Sequence, residues 1–132
     1  MKFDHIGIFV KNLQFGSKHL TRLFEIKKKT NIIHDPLHKV SVQFFYDKNN
    51  ICYELVAPKG KKNPVSSILK QNKNILNHVA YKSKNFQKDI TKLRKLGCIP
   101  LGKPKPARAF KGANIIFFLS PLKIIIEVIE QN

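Results

Sequence analysis

The chain repeats itself at an offset of 73 residues. Slid over itself by that distance, Asp4-His5-Ile6 falls on Asn77-His78-Val79, Lys11-Asn12 on Lys84-Asn85, and Gln14 on Gln87. Leu20 and Leu23 fall on Leu93 and Leu96, Phe44-Phe45 on Phe117-Phe118, Ile51 on Ile124, and Glu54 on Glu127, with no gap. Such a period in 132 residues predicts two copies of one supersecondary unit. It also pairs off candidate ligands, because 49 residues separate His5 from Glu54 and 49 separate His78 from Glu127. Two copies related by a pseudo-twofold bring equivalent positions together near the axis. Two histidines and two glutamates are therefore expected to converge on one point.

Each copy reads as β-α-β-β-β. Residues 2–10 alternate around Phe3, His5, Gly7 and Phe9, which predicts a strand with His5 on one face. Leu13, Leu20, Leu23 and Phe24 recur at helical spacing and predict an amphipathic helix over about 14–26. A short strand or turn follows near 30–36. Val40–Tyr46 and Ile51–Val56 then form a hairpin across Asp47-Lys48-Asn49-Asn50. In the second copy the strands are expected at 77–82, 98–101, 114–119 and 123–129. The helix carries Phe86, Ile90, Leu93 and Leu96 and stops at Gly97. Between the copies, Asn63 caps a short helix with Pro64 in its first turn and Ile68 and Leu69 on its apolar side. This gives one domain over 1–132, with module one at 1–60, a linker helix at 61–74 and module two at 75–132. About two-thirds of the unfolded surface is buried in a domain of this size, and each half alone is too small to do as well. The modules are expected to share a sheet or an apolar seam.

Charge narrows the partners. The 25 basic and 8 acidic residues give a net charge of +17, and the only arginines are Arg22, Arg94 and Arg108. Reading of base edges leans on arginine, and the lysines here are spread along the chain rather than gathered in an arm. No specific nucleic-acid partner is expected. A small anionic substrate is. No segment approaches the roughly 20 apolar residues of a membrane span. The start of the chain lacks a secretory pattern, and Cys52 and Cys98 have neither CxxC spacing nor equivalence under the repeat. A cytoplasmic protein with reduced thiols and no membrane association is expected.

Glu54 lies in ICYELVA and Glu127 in IIIEVIE, both mid-strand among apolar residues. An ionised carboxylate there is costly unless a cation meets it. That cation is either a buried lysine or a metal ion, and the histidines repeating at the same offset favour the metal. His19, His34 and His38 match no histidine across the repeat. Two imidazoles with two carboxylates suit one divalent ion such as Zn²⁺, Ni²⁺ or Co²⁺, whereas Mg²⁺ prefers an all-oxygen set. The second glutamate points to Lewis-acid rather than redox-iron chemistry.

Four segments carry a family resemblance: Asp4-His5-Ile6-Gly7, Tyr53-Glu54-Leu55-Val56-Ala57-Pro58, Asn77-His78-Val79-Ala80 and Ile126-Glu127-Val128-Ile129. Through them nearly the whole chain resembles the vicinal oxygen chelate superfamily, the glyoxalase/bleomycin-resistance/dioxygenase group. Within it the chain looks most like methylmalonyl-CoA epimerases and bacterial glyoxalase-I-like proteins. The resemblance implies an α+β fold, two tandem βαβββ modules forming one curved mixed sheet around a central cleft, with a homodimer as the assembly to expect. It implies that His5, Glu54, His78 and Glu127 bind the metal. Some epimerases carry an extra acidic base on the strand before the E-L-x-x-P segment, and Val40–Phe45 here has no acid. The second module also has Pro106–Ala113 and Phe118-Leu119-Ser120-Pro121 where epimerases tend to have a glycine-rich loop and F-L-H-P.

The chemistry these residues suit is removal of a proton α to a carbonyl, with Glu127 and Glu54 as catalytic bases. Glu127, between Ile126 and Val128, is expected to be the residue turnover needs most. The substrate is expected to be an anionic thioester or hemithioacetal: a CoA thioester, a glutathione adduct, or a simpler carboxylate. Gln43 is a candidate for orienting it. Lys59, Lys61, Lys62, Lys103, Lys105 and Arg108 are expected in flanking loops, with Lys103 and Arg108 as candidate substrate contacts. The alternatives are a lactoylglutathione lyase proper and a non-catalytic, resistance-type binding protein. Retention of both histidines and both glutamates speaks against the second.

Overall fold

The computed structural model describes residues 1–60, 63–70 and 76–132. Among the described residues each module contains five strands rather than four. The first has β1 (Lys2–Phe9), α1 (Leu13–Leu23), β2 (Ile26–Lys29), β3 (Ile33–Asp35), β4 (Val40–Asp47) and β5 (Cys52–Pro58). After α2 (Pro64–Lys70), the second has β6 (Leu76–Ser83), α3 (Phe86–Lys95), β7 (Ile99–Pro100), β8 (Lys105–Ala107), a 3₁₀ turn (Arg108–Phe110), β9 (Ala113–Leu119) and β10 (Ile125–Glu130). The single strand expected after each helix is thus split in two, and β8 was not foreseen. These pieces are only two to four residues long, so alternation gives them no signal. The ten strands form one mixed sheet in the order β2-β4-β5-β1-β6-β10-β9-β7, with β3 also on β4 and β8 also on β9. Among the described residues no helix is long and apolar enough to cross a membrane.

By contact density the chain divides into two compact units, Ile6–Asn77 and Met1–His5 with His78–Asn132. The first five residues go with the second module for visible reasons. Phe3 meets Tyr81 edge to face at 5.8 Å, and Asp4 pairs with Lys82.

In the unit Ile6–Asn77, β1 runs parallel to β5, and β4 runs antiparallel to β5, β2 and β3. Helix α1 starts at Asn12, whose side chain accepts the Phe15 N–H at 2.7 Å, a side-chain N-cap. It buries Leu13, Gly16 and Leu20 against Val10, Phe45, Leu55 and Ala57. Gly16 marks the closest approach of helix and sheet, since a Cβ there would come within 2.9 Å of Leu55 Cδ1. The helix ends earlier than expected, and Leu23, expected on the apolar stripe, is exposed. Asn63 caps α2 as expected by accepting the Val65 N–H. The Ile68 side chain expected on its apolar face lies outside the described residues.

In the other unit, β6 runs parallel to β10, and β9 runs antiparallel to β10, β7 and β8. One sheet face packs Ile116, Phe118 and Val128 under Phe86, Ile90 and Leu93 of α3. The other packs Ala80, Ala107, Ile115 and Ile129 with Phe110 and Phe117 at its margin. Gly97 ends α3 at φ +90°, with Cys98 N–H bonded to Leu93 O and Gly97 N–H to Arg94 O, the Schellman pattern expected of a helix-stop glycine.

Candidate metal centre

Register delivers the site. In β1 and β5, Gly7 stands opposite Glu54; in β6 and β10, Ala80 stands opposite Glu127. His5 and His78 each lie two residues earlier on the same strand, so each shares a face with its glutamate. The two ladders are in identical register, which is the structural content of the two 49-residue spacings. Small residues opposite both glutamates leave room for the carboxylates.

Within the unit that holds them, His5, His78 and Glu127 converge. His5 Nε2 lies 3.2 Å from His78 Nε2 and 3.3 Å from Glu127 Oε2, and His78 Nε2 lies 3.0 Å from that same oxygen. All three side chains are essentially buried, at 0, 2 and 2 % exposure. The imidazole planes are nearly perpendicular, at 81°, so each aims its Nε2 along a different line into one spot. Glu54 is buried on β5 in its own unit, with Phe44 opposite it on β4.

The donor set fits a divalent ion. Ligands about 2.0–2.1 Å from a common ion in tetrahedral array stand about 3.3 Å from one another, and the three separations here are of that size. The protonation pattern agrees. His5 Nδ1 lies 2.7 Å from Asp4 Oδ2, an oxygen that only accepts, so neutral His5 donates its ring proton to Asp4. Its Nε2 then carries a lone pair facing the other two donors, the arrangement that holds metal-binding histidines. Burial pushes the Asp4 carboxyl up, but the hydrogen bond from His5 and the Lys82 ammonium beside it outweigh that and hold the group below its ordinary value.

Aromatic rings confine the imidazoles. Phe110 stacks on His5 at 5.8 Å and 16°, and Phe117 meets His78 edge-on at 5.5 Å. Asp4, Phe110 and Phe117 were not singled out from sequence. Phe117 carried a signal, since the repeat equates it with Phe44 and both stand opposite a glutamate. Asp4 opens one of the family-bearing segments beside His5 without being named as a site residue, and Phe110 carried no signal, since its repeat position holds Leu37.

The other candidates separate. Gln43 stands opposite Leu55, on the face of β4 and β5 turned toward α1 and away from Glu54, and its amide donates to Thr30 O at 2.8 Å. It ties the sheet to the segment before β3 and lies on the face of β4 and β5 opposite to that of Glu54. Lys59, Lys103, Lys105 and Arg108 are exposed, and Arg108 opens the 3₁₀ turn that carries Phe110. Lys61 and Lys62 lie outside the described residues.

Comparison with known proteins gives a consistent picture. Residues 4–117 match the family model of the Glyoxalase/Bleomycin resistance protein/Dioxygenase superfamily. A search of curated proteins by sequence returned no match. Among solved structures, a hypothetical protein of Bacillus halodurans superposes with a TM-score of 0.83 at 21 % identity, covering 99 % of this chain and 94 % of that one. Methylmalonyl-CoA epimerase of Mycobacterium tuberculosis gives 0.80 at 15 % identity, covering 99 % and 88 %. A variant of the Streptomyces coelicolor methylmalonyl-CoA epimerase, in complex with 2-nitronate-propionyl-CoA, gives 0.77 at 18 % identity, covering 99 % and 97 %. At these identities the likeness concerns the fold.

Proposed function

The chain belongs to the glyoxalase/bleomycin resistance protein/dioxygenase superfamily, and from that premise we propose that it is a divalent-metal-dependent enzyme removing a proton α to a carbonyl. The observation that carries this reading is the triangle of His5 Nε2, His78 Nε2 and Glu127 Oε2, with sides of 3.0–3.3 Å between three buried side chains. Glu54 is the proposed fourth ligand. Its support is the shared register, Gly7 opposite Glu54 as Ala80 is opposite Glu127. Zn²⁺, Ni²⁺ and Co²⁺ are the ions this set suits.

A divalent ion bound there supplies Lewis acidity to a carbonyl oxygen and so favours the enolate left by proton loss. The residues of the chain do the rest. Glu127 accepts the α-proton, with Glu54 as the second carboxylate, and two bases are what an epimerase needs to return the proton to the opposite face. Phe110 and Phe117 keep water from the imidazoles. Exposed Lys59, Lys103, Lys105 and Arg108 suit an anionic substrate, and a CoA thioester leads because the similar Streptomyces epimerase holds a CoA-borne nitronate.

Two measurements test this together. Metal analysis of protein purified without chelator should give up to one ion per chain, lost on changing His5 and His78 together to alanine. Incubation in D₂O with acyl-CoAs and with the methylglyoxal–glutathione hemithioacetal should introduce deuterium into one class. Exchange on the acyl-CoA supports epimerase chemistry, and conversion of the hemithioacetal supports a lactoylglutathione lyase. Metal bound with neither reaction points to a binding protein.

A further inference from the structure

In the unit that holds His78 and Glu127, the ligand face of the sheet continues outward as an apolar shelf. Ile125 stands opposite His78 on β6 and opposite Leu119 on β9, and Leu119 stands opposite Ile99 on β7. One row across four strands therefore runs His78, Ile125, Leu119, Ile99. In the next row Glu127 stands opposite Phe117, and Leu101 N–H bonds to Phe117 O, which carries the β7 pairing one step further. Alternation puts these side chains on the face of Glu127, because Cys98, Phe118 and Ile126, one step away along their strands, pack under α3. Exposure rises along the shelf: His78 is buried, Ile125, Leu119 and Phe117 are half-buried, and Ile99 and Leu101 are 61 and 52 % exposed. Beyond His78 and Glu127 neither row carries a polar side chain. With strands about 4.8 Å apart, the shelf reaches roughly 14 Å from His78. An edge strand that met only water would favour charge at its outer positions. This chain, rich in lysine elsewhere, places isoleucine and leucine there.

We propose that this shelf binds the alkyl chain of the substrate's acyl group, so that the preferred substrate is a thioester of medium chain length rather than an acetyl or propionyl one. This rests on the enzyme reading above and names the substrate class within it. A carbonyl held beside His78 and Glu127 leaves its substituent at the inner end of both rows. From there the rows offer apolar contact and no polar side chain, which suits a hydrocarbon and penalises a polar group left without a partner.

The test titrates the full chain with acetyl-, butyryl-, hexanoyl- and octanoyl-CoA, with and without Zn²⁺, and reads Kd. A fully buried methylene strengthens binding about fourfold, and on an open shelf that covers about half of each one the gain should be about twofold per carbon. Octanoyl-CoA should then bind at least about tenfold more tightly than acetyl-CoA. Ile99→Gln and Leu101→Gln change exposed positions, so the fold should survive, and each should flatten that rise. Leu122→Gln, at the exposed β9–β10 turn away from both rows, should leave the rise intact. Affinity that does not grow with chain length overturns the proposal. So does a rise that Leu122→Gln flattens as much as Ile99→Gln, which would be unspecific apolar adhesion. A change of mass in sedimentation on Ile99→Gln, without any dependence on chain length, gives the strip to a second copy of the chain instead. Zinc uptake without a rise removes the shelf alone, whereas a rise in a chain that takes up no zinc keeps the shelf and removes the metal reading.

Discussion

The turn joining β4 to β5 and the turn joining β9 to β10 are the same object built twice. In the first, Asp47 N–H bonds to Ile51 O, Asn50 N–H to Asp47 O, and Asp47 Oδ1 accepts from Ile51 N–H. In the second, Ser120 N–H bonds to Ile124 O, Lys123 N–H to Ser120 O, and Ser120 Oγ accepts from Ile124 N–H. Asn50 and Lys123 sit at equivalent positions with φ of 62° and 64°. Main-chain geometry has been kept while the residues drifted from Asp-Lys-Asn-Asn to Ser-Pro-Leu-Lys. The helix ends differ more: α3 closes on Gly97 at positive φ, whereas α1 gives way to extended backbone at Phe24, the equivalent position. The contrast shows which features of a duplicated module are constrained. Register and hairpin geometry set where the ligands point and are preserved; caps, edges and outer partners are free to diverge, and there the modules acquire separate roles.

The sharpest way to break the equivalence is at the glutamates. Glu127→Gln should cut deuterium exchange into a substrate α-position by about 10²–10⁴-fold while zinc binding largely survives. Glu54→Gln should cost less. The reverse order would exchange the roles of the modules, and equal losses would mean that both carboxylates carry protons.

At the core the modules should look alike. Phe45 and Phe118 are repeat equivalents, each fully buried among residues packed under its helix. Either change to alanine should cost about 3–5 kcal/mol, read from urea unfolding. Matching losses with one shared transition mean that the modules unfold together; two resolved transitions would make them separate folding units.

The turns should differ in proportion to their hydrogen bonds. Asp47 Oδ1 accepts two backbone N–H groups, from Asn49 and Ile51, whereas Ser120 Oγ accepts one, from Ile124. Asp47→Ala should cost about 1–3 kcal/mol and Ser120→Ala about 0.5–1.5 kcal/mol on the same unfolding assay. A larger loss at Ser120 would contradict the view that side-chain capping sets turn stability.

The smallest effect should have the opposite sign. Lysine at positive φ is strained where asparagine is tolerated. Lys123→Gly should therefore raise stability by about 0.5–1 kcal/mol, and Asn50→Gly should leave it near unchanged. Destabilisation by Lys123→Gly would show that its side chain contributes more than its backbone conformation costs.

Much of this was legible before any coordinates. The 73-residue offset determined the two modules, the strands bearing His5, Glu54, His78 and Glu127, and the four segments that carry the family, because a repeat records equivalence directly. Alternation in β1 and β6 and helical spacing in α1 and α3 set the inward faces, since a buried face must recur with the period of its backbone. What sequence could not decide was anything set by neighbours distant along the chain. Leu23 and Leu96 continue the apolar stripes yet lie exposed, one as the last residue of α1 and the other as the cap after α3. Gln43 turned out to face α1, since one step along a strand reverses a side chain and only the register with β5 fixes which face is which. The attachment of Met1–His5 to the second module, the grip of Asp4 and Lys82 on His5, and the stacking of Phe110 on that ring arise across gaps of up to about a hundred residues. The repeat told which residues are equivalent, and the tertiary packing decided that His5, His78 and Glu127 meet at one spot.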